Sequence, residues 1–443
     1  MSRDRFERLA VLVLLTACGA GTAAGDGRDG GASSSTDAHS SRRMDGSGER
    51  DATSARDAAA EASLVDSAVD AADAGALDPT SEASSPIEYG VLLADTSHLM
   101  SDSVAGIRWA QIQLGWNDLE PTQGQYASSA LNLTAIQKYR AAGWRIEVSF
   151  GLHYPPSWAA QIEPWVDQNG NTYASQPNWF NPQVQAKVAA LIQHVIQGIG
   201  PGQIDAIRIG GLTDAGEMIY PVTPAYDYVA YSASALAGTA MAPKNPAPQC
   251  KPPSCTATDA ETFYGWYVDA LAAFGNFQVA AARAAGFTGD VQWLMPGVGV
   301  RPSWRASLIA NGLDLHAQYP NDYDVSAGGC EWPRIMGDIA EKTSTVVIDC
   351  TSLNDSSAAN ANESSANVLE WSSAHWVAYN ADLLGFRKSG ENKGEDGDAG
   401  MALTFAKVNA YGYRKLMWAF DGQLYDGTHA SLAEYATYIG EYP

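Results

Sequence analysis

Two glutamates stand in settings that suit acid–base work. Glu217 lies in Ile207-Arg208-Ile209-Gly210-Gly211-Leu212-Thr213-Asp214-Ala215-Gly216-Glu217-Met218-Ile219-Tyr220-Pro221. There a short apolar run ends in two glycines, and a polar loop leads to a Tyr-Pro turn. Glu391 lies in Ser389-Gly390-Glu391-Asn392. Cleavage of a glycosidic bond needs two such carboxylates on either side of the anomeric carbon. One donates a proton to the leaving oxygen; the other attacks the carbon or activates water. The donor must keep its proton near neutral pH, and an apolar setting raises a carboxyl pKa. Ala215-Gly216 and Met218-Ile219-Tyr220 flank Glu217, so Glu217 is read as the acid. Arg387, Lys388 and Lys393 are near Glu391 in sequence and favour its ionised form, so Glu391 is read as base or nucleophile.

Acids this far apart in the chain meet only if a fold gathers strand ends. Short apolar runs at 89–93, 109–114, 145–150, 206–210, 291–296, 345–350, 384–387 and 415–420 read as strands. Helical spacing marks 131–142, 184–199, 263–285, 304–311, 370–383 and 401–411. It is clearest where Val184, Val188, Leu191, Ile192, Val195 and Ile196 share one face. Eight strands alternating with helices predict a parallel sheet, and at this length a closed (β/α)8 TIM barrel with long βα loops. No Gly-x-Gly-x-x-Gly follows a strand and no Walker loop is present, which argues against nucleotide binding.

In such a barrel the loops after the strands build the site. Trp116 and Glu120 follow the second strand, His153 and Trp158 the third, and Asp214 and Glu217 the fourth. Glu391 and Asn392 follow the seventh, and Trp418 ends the eighth. Trp116, Trp158 and Trp418 are candidate sugar platforms. His153, Asp214 and Asn392 are candidate hydroxyl contacts. Glu120, before Pro121, is read as holding its loop, and Glu370 as a helix-end acid. Arg208 is expected inside the barrel, where it needs a carboxylate partner. The reading calls for no metal and no cofactor.

These segments resemble two glycosidase families. Trp116-Asn117-Asp118-Leu119-Glu120-Pro121, with Gly124 and Tyr126, resembles the second-strand signature of family 42 β-galactosidases and of the family 14 β-amylases. Gly216-Glu217-Met218-Ile219-Tyr220-Pro221 resembles the Gly-Glu-Leu-Arg-Tyr-Pro of β-amylases, whose Glu is the general acid. Gly390-Glu391-Asn392 resembles their Gly-Glu-Asn, whose Glu is the general base. Ser149-Phe150-Gly151-Leu152-His153 resembles the segment after their third strand. The chain also departs from them. Tyr154-Pro155-Pro156-Ser157-Trp158 stands where β-amylases have a Gly-Gly-Asn-Val-Gly-Asp loop, and looks more like the Pro-x-Trp of family 42. Gln111-Ile112-Gln113 replaces a binding Asp, and Gly216 stands where family 42 has Asn. The resemblance therefore implies a glycosidase acting on a carbohydrate, and not which sugar.

The bulk properties set limits. A net charge of −23 makes the chain a poor candidate for nucleic-acid binding, which wants Lys and Arg patches. Residues 1–18 read as an export signal: Arg3, Arg5 and Arg8 precede an apolar run too short to span a bilayer. Leu15-Thr16-Ala17-Cys18-Gly19 resembles a bacterial lipobox, which implies lipid modification at Cys18 and anchoring in the cell envelope. An ordinary secretory signal cut nearby is the alternative. Residues 19–86 hold no Trp, Tyr or Phe and read as a disordered Ala/Ser/Asp/Gly linker. Residues 87–443 are the predicted barrel. Cys250, Cys255, Cys330 and Cys350 form an even set in an exported chain. They predict two disulfides, most simply Cys250–Cys255 and Cys330–Cys350, among three possible pairings; a zinc site is the rival. Two other functions stay open: a surface carbohydrate-binding lipoprotein without turnover, and a barrel hydrolase of another substrate class. The latter lacks a Ser-His-Asp motif or a metal-ligand cluster.

Overall fold

The computed structural model describes residues 86–212, 216–221, 223, 227–314, 326–355, 362–394 and 396–443. The signal segment with Cys18, the linker up to 85, and Asp214 lie outside the described residues. Eight parallel strands close a barrel: β1 Glu88–Val91, β2 Trp109–Gln113, β3 Arg145–Ser149, β4 Ala206–Ile209, β5 Asp290–Met295, β6 Val346–Cys350, β7 Arg387–Glu391 and β8 Lys415–Trp418. Neighbours in sequence are neighbours in the sheet, and β8 closes onto β1 with Trp418 opposite Val91.

A helix follows each strand: α1 Leu99–Ala105, α2 Leu133–Ala141, α3 Pro182–Ile199, α4 Ala257–Ala284, α5 Trp332–Gly337, α6 Ser373–Leu383, α7 Asp398–Ala410 and α8 Leu432–Glu441. Their starts have local causes. Asn181 caps α3 through Gln183 N, with Pro182 in the first turn where no intrahelical N–H is lost. Thr256 caps α4, Ser372 caps α6, and Ser431 forms a capping box with Glu434 on α8. The six apolar residues of α3 noted above are all buried.

Strand alternation sorts the side chains. Ile146, Val148, Ile207, Ile209, Val291, Trp293, Val346 and Ile348 are buried in the main apolar core, under the helices. The interleaved Glu147, Arg208, Gln292, Asp349 and Ser389 are buried as well, and bond to one another across the barrel interior. Buried charges survive only when paired, and that pairing organises the site.

Three sequence expectations change. The seventh strand is not 384–387. Leu384, Gly385 and Phe386 form the turn off α6, with Phe386 N bonded to Ala381 O and Gly385 at φ +75°. The strand itself is the polar Arg387–Glu391, because the barrel interior it faces is polar. Glu391 is therefore the last strand residue and not a loop residue. Glu370 sits in a separate turn, Val368–Glu370, ahead of α6. Finally, Cys250–Cys255 is a disulfide, but Cys330 and Cys350 are not joined to each other. Cys350 ends β6 on its outer side, where Tyr413 bonds its sulfur. Cys330 lies in the β5–α5 connection near Tyr264, its carbonyl accepting from Val300 N.

Candidate active site

Glu217 is placed by backbone. After β4 the chain folds back on itself: Gly211 N donates to Glu217 O at 2.6 Å, and Met218 N donates to Leu294 O at 3.2 Å. The fold-back needs Gly210, where a Cβ would sit 1.6 Å from Gly216 O. Gly216 has φ +75°, and a Cβ there would sit 2.5 Å from His153 Nδ1. The two glycines thus let the acid-bearing loop press against both β4 and the His153 ring. Tyr220 anchors the far side, stacked on Tyr267 at 3.7 Å with its hydroxyl on Tyr267 O. Thr351, just past β6, donates to Glu217 Oε1 at 2.5 Å.

Glu391 is placed by a strand end and a cation. Arg208 Nη2 donates to Glu391 Oε2 at 2.8 Å. The same guanidinium lies 3.1 Å from Glu147 Oε1 and 3.9 Å from Asp349 Oδ2. Lys415 Nζ donates to the other Glu147 oxygen. Two of the three cations near in sequence turn elsewhere, Arg387 to Asp290 and Lys388 to Asp382, while Lys393 lines the same cavity as Glu391. Burial pushes the Glu391 carboxyl up to about 8; Arg208 opposes the shift, while Asp349 and Glu217 add to it. Burial also raises Asp349, and Lys415 and Arg208 outweigh burial to lower Glu147. The Glu391 shift is opposite to the sequence expectation that neighbouring cations keep Glu391 ionised, because burial outweighs Arg208.

Glu217 and Glu391 line one cavity at the C-terminal mouth of the barrel, about 900 Å³ counted out to its open side. His153 and Asn392 line it too. Desolvation, then the Arg208 charge, pushes His153 down to about 3, so its imidazole is neutral. Asn392 is pinned inside the protein. Its Nδ2 donates to Asp396 Oδ2 and Ala419 O, and its Oδ1 accepts from Ala419 N at 2.7 Å. It holds the end of β8 in place.

The three tryptophans do not face the cavity. Trp116 is fully buried and donates to Glu120 Oε2 at 3.0 Å. Trp158 packs edge-on against Trp116 at 5.8 Å, donates to Glu120 O, and carries Lys187 over its ring. Trp418 is buried against Tyr435 of α8. Glu120 holds its loop, accepting from Trp116, Gly124 N and Lys187. The rings that line the cavity are Phe150, Tyr154 and Phe420, with Gln111 and Gln113 beside them. Tyr154 and Phe420 sit one residue past His153 and two past Trp418 in stretches already singled out, yet sequence does not say which ring turns inward. Among the described residues no group of three His, Cys, Asp or Glu side chains forms a metal site.

No family model and no curated protein matches this chain. Solved structures do. The catalytic domain of β-amylase from Paenibacillus polymyxa superposes with a TM-score of 0.59 at 17% identity, covering 80% of this chain and 98% of that domain. β-Galactosidase from the psychrophilic Marinomonas ef1 gives a TM-score of 0.53 at 12% identity, covering 80% of this chain. The Antarctic Halorubrum lacusprofundi β-galactosidase gives 0.53 at 13% identity over 80% of this chain. The match spans 58% of each β-galactosidase. At these identities the likeness is one of fold: the chain is a (β/α)8 barrel of the architecture seen in the β-amylase catalytic domain and in both β-galactosidases.

Proposed function

We propose that the chain is a glycoside hydrolase cleaving O-glycosidic bonds of an oligo- or polysaccharide, with Glu217 as general acid and Glu391 as base or nucleophile. One observation carries the reading: two carboxyl groups, one from the loop after β4 and one from the end of β7, line a single cavity at the strand ends. The solved structures of like fold named above are glycosidases. In this reading a sugar ring lies between the acids. Tyr154 and Phe420 present faces for stacking, and neutral His153 offers both a donor and an acceptor to hydroxyls. A guanidinium only donates, so the Glu391 oxygen bonded to Arg208 keeps its lone pairs, and any proton on Glu391 sits on Oε1. The ionised form, which attacks or activates water, is also the form Arg208 favours.

The protein is further proposed to work outside the cytoplasm, exported by residues 1–18 and held to the cell envelope by lipid at Cys18. Among the described residues no helix is long and apolar enough to cross a membrane.

The test is turnover by Glu217→Gln and Glu391→Gln on a panel of glycans. Each is expected to lose about 10³-fold or more in kcat, within the range of general acid–base contributions. Wild-type turnover in both variants would end the proposal. One second reading is a surface carbohydrate-binding lipoprotein without turnover, favoured by Tyr154-Pro155-Pro156-Ser157-Trp158 standing where β-amylases have their binding loop. Glycan binding by the wild type without any product selects that reading.

A further inference from the structure

Arg208 is buried and touches three carboxylates, but only one of them, Glu391, lines the cavity. Below it the contacts continue. Glu147 bonds Arg208 with one oxygen and Lys415 with the other. The Lys415 ammonium lies 4.5 Å from the centre of the Trp109 ring, and Trp109 donates to Glu88 at 3.1 Å. Lys415 and Glu88 are the first residues of β8 and β1, so this chain of charges runs from the strand starts up to the catalytic mouth. An apolar layer of similar volume would serve stability as well or better than buried ion pairs. The chain of charges reaches the cavity at Arg208 and Glu391.

We infer that Arg208 is a positioning residue for Glu391, and that Glu147 and Lys415 beneath it set how much of its charge reaches the carboxylate. The inference rests on the reading of Glu391 as base or nucleophile. Arg208 aims the carboxylate through a single donated bond, and its positive charge favours the reactive ionised form. Glu147 draws on that charge, and Lys415 offsets Glu147 in turn. The other charged or titratable groups facing Glu391 are Asp349 from β6, Glu217 from the β4 exit loop, His153 from the β3 exit loop and Lys393 from its own strand's exit. Asp349 bonds Ser389 and is raised by burial; His153 is neutral. Neither supplies a positive charge to Glu391. Lys393 is exposed, so solvent screens it.

The test uses the full chain and reads Glu391 without a substrate. Carboxyl-labelled glutamate is followed by 13C NMR against pH, and the Glu391 resonance is identified by its loss in Glu391→Gln. In Glu147→Gln a negative charge is gone and Arg208 is shared by Glu391 and Asp349 only, so the midpoint is expected to fall by about one pH unit. In Arg208→Met it is expected to rise by about one unit or more. Arg208→Lys keeps the charge and loses the fork, so the midpoint stays near wild type while kcat drops about tenfold or more. The pH limb of kcat/KM on the 4-nitrophenyl glycoside that the wild type cleaves fastest is expected to follow the NMR midpoints. A merely structural Arg208 would lower activity without moving either. Should Arg208→Met fail to fold, Glu147→Gln and Arg208→Lys still decide the matter. A midpoint that stays put in Glu147→Gln, or rises there, overturns the inference. Wild-type turnover in Glu391→Gln overturns the parent reading instead, and is seen in a different measurement.

Discussion

Gly216 shows how much of the proposed chemistry depends on a residue with no side chain. Its backbone has φ +75°, and its missing Cβ makes room for the His153 ring. Alanine there meets two costs: a left-handed backbone worth about 1–2 kcal/mol, and a contact 2.5 Å from His153 Nδ1. Either the ring or the loop must shift, and Glu217 is the next residue. Gly216→Ala is therefore expected to lower stability by about 1–2 kcal/mol in urea denaturation. It should also lower kcat by about tenfold or more, since small misplacements of a catalytic group are costly. If stability falls while kcat is unchanged, Glu217 is not held by this contact. Glu217 itself was readable from sequence because two glycines, a polar loop and a Tyr-Pro turn surround it. The partner of Glu391 was not. Arg208 lies 183 positions away in the chain, whereas Arg387 and Lys388, adjacent to Glu391 in sequence, turn to Asp290 and Asp382.

At the scale of elements, sequence was informative at most stretches with one apolar face, although α8, whose Leu432, Tyr435, Tyr438 and Ile439 pack on the core, escapes that reading. The strands carrying Ile146, Val148, Ile207, Ile209, Val346 and Ile348, and the buried stripe of α3, announce themselves. β7 does not, because its inward residues Ser389 and Glu391 meet polar partners and its apolar neighbours belong to the preceding turn. α1 is hidden by the opposite effect: its Met100 and Val104 are 73% and 88% exposed, so no apolar stripe marks it. α5 has six residues, too few to show a period. The tryptophans misled for a related reason, since residue type says nothing about which side of a loop packs inward. The connection ahead of α4 has its own device, the Cys250–Cys255 bridge, which closes a loop of five-residue separation. Loop-closure entropy for so short a loop corresponds to about 2 kcal/mol. Replacing both cysteines by alanine is expected to cost about that much in urea denaturation and to leave kcat within about twofold, because neither residue lines the cavity. A large loss of kcat would mean that this connection supports the site after all.

For the molecule as a whole, the polar interior ties stability to pH. A carboxyl that titrates near 8 in the folded barrel and near its ordinary 4.5 when unfolded binds a proton in the native state alone across that interval. Stability must then fall as pH rises from about 4.5 towards 8, by at most about 1.4 kcal/mol per pH unit for one such group. Asp349 is raised by burial and acts in the same sense. So does Asp102 of α1, pushed up to about 7 by burial and by Asp421. Glu147 is held low by Lys415 and Arg208, and its contribution has the opposite sign: present above 4.5, lost only in acid. The barrel is therefore expected to be most stable near pH 5 and weaker at pH 8. Urea denaturation at both pH values should show the wild type losing several kcal/mol over that span, with Glu391 alone contributing at most about 4 kcal/mol. Glu391→Gln keeps the shape of the side chain but cannot release a proton, so its stability should change less between the two pH values. Under the proposed function the same substitution is expected to abolish turnover, linking the proposed base or nucleophile to the pH response of the whole fold. A wild type that grows more stable from pH 5 to pH 8 would show that Glu391 and its neighbours are already ionised at pH 5.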